Sequence, residues 1–235
     1  MKQEIVRFQN VTKAYGEGDG RQLAVADVSF SIGAGEFVVI LGPSGAGKST
    51  VLNILGGMDS PDSGQVVVDG VDITHMKEKA LADYRAKKVG FIFQLYNLLP
   101  SLTAYENVAM SREIVKDAAD PMEMLRQVGL EACAKKFPSQ MSGGEQQRVS
   151  IARALTKRAR ILLGDEPTGA LDSETGVSVL KLLAERSHVA GDTVILVTHN
   201  ADIALCADRV IRMKNGRVVE NRVNEAPKSI AEVEW

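Results

Sequence analysis

The chain has 235 residues, 45% of them hydrophobic and 25% charged, with a formal net charge of −2. That composition belongs to a globular protein rather than a disordered or fibrous one, and the near-balanced charge gives no general attraction to nucleic acid. No apolar run approaches the ~20 residues of a membrane-spanning helix; VLNIL and TVILV have the size of buried strands or core helices.

In chain order, EIVRFQNV and AVADVSFSI alternate polar and apolar residues, which predicts two strands separated by the glycine-rich YGEGDGRQ. The opening stretch has no apolar core of a secretory signal. The expectation is therefore a cytosolic chain whose membrane part, if it works at a membrane, comes from another chain. EFVVILG is a continuous apolar run of the kind buried on both faces of a sheet. A glycine loop and a helix from about Lys48 to Leu55 follow. SGQVVVDG predicts another strand, KEKALADYRAKK a polar helix with a solvated face, and VGFIFQ, from Val89 to Gln94, a buried strand.

From Thr103 to Lys136 the pattern is helical, with Thr103 as one N-cap and Asp120 as another, Pro121 taking the first helical position. This reads as a helical lobe inserted into an α/β core. A helix after QMSGGE runs to about Thr156, and then strand and helix alternate: ILLGDE, a long helix from Ser173, TVILVTH, and a short helix near Ala201. RVIRMKNGRVVE predicts a hairpin with Asn215 and Gly216 in a type I′ turn. Alternating β and α predicts a largely parallel sheet. Residues 1–225 are expected to form one domain, with a helical subdomain at about 95–157. The polar tail 226–235 carries the only Trp, Trp235, and is expected to fray. Cys133 and Cys206 lie in no CxxC pair and read as reduced structural thiols.

GPSGAGKS, after a buried strand and before a helix, fits G-x-x-x-x-G-K-[ST] in full. Its glycines let backbone N–H groups converge on phosphates, and the helix dipole adds to the attraction. Lys48 reaches the β- and γ-phosphates, and the Ser49 hydroxyl suits Mg²⁺. ILLGDEP ends an apolar strand on Asp165 and Glu166, where strand C-termini line the ligand crevice of a parallel sheet. Asp165 suits the metal and its waters; Glu166 suits a general base for the attacking water. QMSGGEQQR, Gln140 to Arg148, is a second anion nest in a chain that already has one.

GPSGAGKST, MSGGE, ILLGDEP, GALD and TH in this order resemble the ATP-binding-cassette (ABC) ATPases over nearly the whole chain, from Tyr15 to the C-terminal hairpin. The resemblance implies a P-loop NTPase fold of ABC type: α/β with a mostly parallel core sheet, an N-terminal antiparallel β subdomain and an inserted α-helical subdomain. It implies an ATPase that hydrolyses ATP with Mg²⁺ and closes as a homodimer. MSGGE is similar to the family's signature loop, with departures at Met141 and Glu145, and would contact ATP held by a second copy.

On that basis one copy binds the cofactor through Tyr15, Gly42, Pro43, Ser44, Gly45, Ala46, Gly47, Lys48, Ser49 and Thr50, with Tyr15 stacked on adenine. Ser142, Gly143, Gly144, Glu145 and Asp172 act across the pair. Lys48, Gln94, Glu166 and His199 carry catalysis, and Ser49, Gln94 and Asp165 hold the metal. Taken alone, Tyr15 is ordinary strand-end packing, Gln94 a polar strand end and His199 a structural histidine. His75 and His188 match nothing.

KKVGFIFQLYNLLPSLTAYENVAM and GDEPTGALD further resemble the lipoprotein-release and macrolide-export (LolD and MacB-like) type. That type pairs with an FtsX-like integral membrane permease, which would hold the cassette on the inner face of the cell membrane, with its coupling helix near LYNLLPSLTAYENV. No nucleic-acid partner is implied. The alternative is an ATP-gated recruitment module of a cell-envelope or cell-division complex. Cytosolic repair and translation ABC proteins carry coiled-coil insertions or two cassettes, features lacking here.

Overall fold

The computed structural model describes residues 3–232. The first half runs β1 (Glu4–Tyr15), β2 (Gln22–Gly33), β3 (Phe37–Leu41), α1 (Lys48–Leu55), β4 (Ser63–Val68), β5 (Val71–Asp72), α2 (Glu78–Lys88) and β6 (Val89–Ile92). Then follow α3 (Ala104–Ile114), α4 (Pro121–Gln127), α5 (Gly143–Thr156), β7 (Ile161–Asp165), α6 (Ser173–His188), β8 (Thr193–Thr198), α7 (Ala201–Leu205), β9 (Arg209–Lys214) and β10 (Arg217–Val223).

Among the described residues two sheets form. The smaller has the order β2-β1-β4-β5 and is antiparallel, as expected of strands that bury only one face. The larger has the order β10-β9-β3-β8-β7-β6; β9, β3, β8, β7 and β6 run parallel, and β10 returns antiparallel beside β9. Asn215 and Gly216, with φ of 49° and 73°, make the turn between β9 and β10.

Every residue of β3 and β8 is buried, because this sheet is covered on both faces. Phe37, Val39 and Leu41 pack with α5 and α6 on one side; Val38 and Ile40 pack with α1 and the small sheet on the other. Each fully buried Val, Ile or Leu is worth about 1.5–3 kcal/mol. This sandwiching explains why the run is apolar at every position instead of at every second one.

The helical lobe is fixed by its caps. Thr103 and Glu106 form a reciprocal capping box at the start of α3, and the Asp120 carboxylate accepts the Glu123 N–H ahead of α4, with Pro121 at the first helical position. Helix α5 belongs to both parts, packing on α3 and α4 and on strand β6. At that joint, a Cβ on Gly90 would lie 2.9 Å from the Ala154 carbonyl oxygen of α5.

Two expectations change. Strand β6 ends at Ile92, so Phe93 and Gln94 lie beyond it; Tyr96 and Asn97, with φ of 59° and 49°, turn the chain away. As far as residue 232, the tail does not simply fray. Ile230 is only 9% exposed and joins the core under α6 and α7, and the Lys228 N–H donates to the Leu205 carbonyl oxygen at 3.0 Å. The buried Ile230 side chain anchors it. Trp235 lies outside the described residues. Cys133 and Cys206 are free and buried.

The Gly90 contact predicts that Gly90→Val forces β6 and α5 apart. Denaturant unfolding should show a loss of about 1–3 kcal/mol; an unchanged midpoint would mean that the joint has slack.

Candidate nucleotide-binding site

The site begins with the pairing of the parallel strands. Leu41 pairs with Thr198, Val197 with Asp165, and Ile92 with Gly164. The chain therefore leaves four neighbouring strands at one edge of the sheet, and the residues that follow them meet there. A cavity of about 750 Å³ opens at this edge. Tyr15, the loop from Ser44 to Thr50, Gln94, Asp165, Glu166 and His199 all line it.

The loop between β3 and α1 is shaped by close backbone approaches. Gly47 has φ of 94°, and a Cβ there would sit 2.3 Å from the Ala24 carbonyl oxygen; one on Gly42 would sit 2.4 Å from that of Met213. Neither position accepts a side chain, and the result is a turn of backbone N–H groups at the start of α1. Lys48 is only 8% exposed, and its Nζ donates to the Pro43 carbonyl oxygen at 3.0 Å. The ammonium thus lies folded over its own loop, where a phosphate would sit.

The Ser49 hydroxyl donates to Asp165 Oδ1 at 3.3 Å. Burial, and secondarily the neighbouring Glu166, push the Asp165 carboxyl above its usual range; Ser49 and Lys48 pull against them without cancelling them. A hydroxyl beside a carboxylate that lacks a full counter-charge is a hard-oxygen pair suited to a small divalent cation. Among the described residues no group of three or more His, Cys, Asp or Glu could hold a metal by itself. One carboxylate and one hydroxyl, completed by phosphate oxygens and waters, is the usual provision for Mg²⁺.

Glu166 follows β7 in the left-handed region, with φ of 47°, and its N–H donates to the Val197 carbonyl oxygen at 2.9 Å. That strained backbone is held by β8, as conformations of this kind require support from their surroundings. Both carboxylate oxygens are engaged from the end of β8: Oε1 lies 2.8 Å from His199 Nδ1, and Oε2 accepts the Thr198 hydroxyl at 3.2 Å. Thr198 was not anticipated; a threonine at a strand end carries no sequence signal for this contact. Leu23 and Ala24 of β2 and Gly169 and Ala170 after β7 also line the cavity and were likewise not singled out.

Gly42 and Pro43 support the loop but do not line the cavity. Ser142, Gly143, Gly144, Glu145 and Asp172 do not line it either. They gather beyond its margin at Ala170: a Cβ on Gly144 would lie 3.5 Å from the Ala170 carbonyl oxygen, and Asp172 caps α6 through the Thr175 N–H. Ser142 caps α5 in a reciprocal box with Glu145, whose Oε2 accepts the Ser142 N–H at 2.7 Å. Lys136 Nζ and Cys133 Sγ each lie 3.3 Å from Glu145 Oε1. The Glu145 carboxylate is thus engaged within its own lobe. The Ser142 N–H and the Cys133 thiol, with Lys136, outweigh burial and hold its pKa at about 2. The N–H groups of Gly143 and Gly144, in the first turn of α5, are left over from the helical ladder.

The loop after Gln94 is fastened to α5. Arg153 donates to the carbonyl oxygens of Tyr96, at 2.8 Å, and Asn97, at 2.5 Å, the two residues with left-handed backbone. A Cβ on Gly143 would lie 2.9 Å from Tyr96 Oη, so the loop also rests on the start of α5.

A phosphate loop at a strand–helix junction, paired acids on an adjacent strand and a separate helix-capped glycine nest define a nucleotide-binding cassette. Residues 25–169 match the family profile described as ABC transporter, and the chain belongs to that family. It is an ATP-binding, ATP-hydrolysing cassette of the MacB and LolD-like type. It is 43% identical over 222 residues to the macrolide export ATP-binding/permease protein MacB of Mannheimia succiniciproducens, covering 92% of this chain and 34% of that protein. The chain thus spans about a third of the length of its MacB relatives. An uncharacterized ABC transporter ATP-binding protein of Mycobacterium tuberculosis is 39% identical, covering 95% of this chain and 93% of that one. The dimeric post-hydrolysis structure of the ATP-binding cassette MJ0796 bound to ADP and Pi is similar with a TM-score of 0.90 and 40% identity, over 94% of this chain and all of that one.

The Glu145 cluster predicts a pH effect. A carboxyl whose pKa falls from 4.5 in the unfolded chain to about 2 in the fold contributes stability that is complete above 4.5. That contribution is lost as pH drops from about 4.5 towards about 2. Acid unfolding of Glu145→Gln, which keeps a cap acceptor, should show a flatter pH dependence across this window. An unchanged slope would remove Glu145 from the acid response.

Proposed function

We propose that this cassette drives an integral membrane permease of FtsX-like type, by closing on ATP as a pair and reopening after hydrolysis. The observation that carries this reading is the division of the site. Tyr15, Lys48, Asp165, Glu166 and His199 share one cavity, whereas the nest at Ser142, Gly143 and Gly144 lies outside it. An anion cradle away from its own chain's nucleotide fits a site completed by a second copy. The similar cassette MJ0796 is dimeric in its structure bound to ADP and Pi, which supports pairing. Residues 1–225 act as one domain, with the helical subdomain at about 95–157 presenting the nest.

Each residue has a physical role on this account. The N–H groups of the loop from Gly42 to Thr50 and the Lys48 ammonium hold the phosphates, and Tyr15 stacks on the base. Ser49, Asp165 and Gln94 hold Mg²⁺, which when bound neutralises charge on the β- and γ-phosphates. Glu166 takes the proton of the attacking water, released for this from its bond to His199. His199, freed from Glu166 in the same step, turns a ring nitrogen towards the γ-phosphate. Ser142, Gly143 and Gly144 of the second copy donate to the same phosphate, with Asp172 crossing between copies. Glu145 contributes through the cap that shapes the nest. Positioning and charge stabilisation supply most of the catalysis.

The permease would dock where the loop after Gln94 meets α3. Leu95 is 81% exposed and Leu99 44%, while Leu98 packs into the lobe core. A small groove of about 150 Å³ lies among Met58, Phe91, Phe93, Met110 and Ile114, with Arg85, Arg153 and Lys157 also lining it. Arg153 borders this groove and also holds the loop after Gln94, so a segment seated there would bear on Gln94 and on α5 together. No helix among the described residues is long and apolar enough to cross a membrane. Docking would hold the cassette at the inner face of the membrane. Similarity to MacB favours export as the work done.

Two substitutions test the roles. Glu166→Gln should lower steady-state ATP hydrolysis by at least about 10²-fold while nucleotide still binds; wild-type turnover would dismiss Glu166 as the base. Ser142→Arg should abolish hydrolysis yet leave the ATP affinity of the separate chain nearly unchanged. An equal loss of that affinity would mean that the nest acts within its own chain.

A further inference from the structure

Tyr15 ends β1 at the mouth of the cavity, and its ring is 44% exposed. An exposed tyrosine at a strand end would ordinarily sample several rotamers, yet this one is tied. Its hydroxyl donates to Asp59 Oδ2 at 2.7 Å. The other oxygen, Asp59 Oδ1, accepts from Lys13 Nζ at 2.7 Å and from the Ser60 N–H at 2.7 Å. Lys13 Nζ also donates to the Ser60 carbonyl oxygen, at 2.8 Å, and lies over the Tyr15 ring, 5.4 Å from its centroid. The side chains of Lys13 and Asp59 are only 14% and 25% exposed.

The partners of this cluster lie in the turn that leaves the phosphate loop's own helix. Asp59 follows α1, and its N–H donates to the carbonyl oxygen of Asn53 within α1 at 3.3 Å, beside the Met58 N–H at 2.8 Å. Three residues beyond Asp59, Asp62 adds a second stitch: its Oδ2 accepts the Ala14 N–H at 2.8 Å, and its own N–H donates to the Thr12 carbonyl oxygen at 2.9 Å. The end of β1 is therefore sewn to the turn that leaves α1, and α1 begins at Lys48.

We propose that Lys13 and Asp59 are positioning residues for the nucleobase, fixing the Tyr15 ring at a set distance and tilt from the phosphate cradle. The inference rests on Tyr15 stacking on the base, as proposed above. A ring with an ammonium over one face offers the other to a base. The Asp59 bond holds the ring's far end, so stacking costs little side-chain entropy when ATP arrives. The charges suit a permanent tie. Burial would raise the Asp59 carboxyl, but Lys13, Tyr15 and the Ser60 N–H outweigh it and hold it below its usual range. Burial likewise opposes the Lys13 charge, and Asp59 and Asp62 outweigh that too. The phenol is pushed upward, by burial first and then by Asp59, so it remains a donor.

The test separates the base from the phosphates. Dissociation constants are measured with Mg²⁺ for a non-hydrolysable ATP analogue and for inorganic tripolyphosphate, which has no base, using full-length wild type, Asp59→Asn, Tyr15→Ala and Lys13→Arg. Asp59→Asn should weaken the ATP analogue about fivefold, equivalent to about 1 kcal/mol of stacking, and leave tripolyphosphate unchanged. Lys13→Arg, which keeps the charge, should retain most of the affinity. If Tyr15→Ala weakens the analogue but Asp59→Asn does not, the positioning role fails while the stacking role of Tyr15 stands. If neither changes it, stacking itself fails. If Asp59→Asn weakens both ligands equally, Asp59 acts on the phosphate loop and the proposal is overturned.

Discussion

The register of the parallel strands β3, β8, β7 and β6 is the constraint from which the rest follows. Because Leu41 is level with Thr198, Val197 with Asp165 and Gly164 with Ile92, the four strands end together. The phosphate loop, His199, Glu166 and Gln94 are then neighbours, although up to 157 positions of sequence separate them (42 to 199). A slip of one residue would turn the alternating side chains of a strand to the opposite face. Here both faces are packed, so a slip is opposed by two cores at once. The chemistry inherits its precision from hydrophobic packing that has no chemical role.

Rigid and adjustable parts are distributed accordingly. The phosphate loop is fixed by backbone contacts at Gly42 and Gly47 that no side chain can occupy. Glu166 and Lys48, by contrast, bond to His199 and to the Pro43 carbonyl oxygen, partners that a ligand can replace. Helix α5 carries the nest at one end and, through Arg153, the loop after Gln94 further along. The same helix packs against β6 through Gly90. The groove beside α3 and the nest are therefore joined through one helix.

Much of this was legible in the sequence, for physical reasons. The continuous apolar runs marked strands buried on both faces, Thr103 and Asp120 marked helix starts, and the phosphate-loop spacing is demanding enough to identify its chemistry alone. Tyr15, Gln94 and His199 were not legible as site residues except through the family resemblance, since each is an ordinary residue at a strand end. The bonds from Thr198 to Glu166 and from Tyr15 to Asp59 were beyond reach, because they depend on contacts 32 and 44 positions apart that no local pattern encodes. The end of β6 was misplaced because Phe93 continues the apolar run, whereas the left-handed backbone at Tyr96 and Asn97 is set by Arg153 on a distant helix. The tail was misjudged because one residue, Ile230, decides its placement.

The central claim is that the nest at Ser142 completes a nucleotide site on another copy. Sedimentation of the Glu166→Gln chain, with and without Ser142→Arg, in ATP and Mg²⁺ tests it most directly. Glu166→Gln should form an ATP-dependent dimer and the double variant should stay monomeric, although both bind ATP. A double variant that dimerises as readily as Glu166→Gln would contradict it.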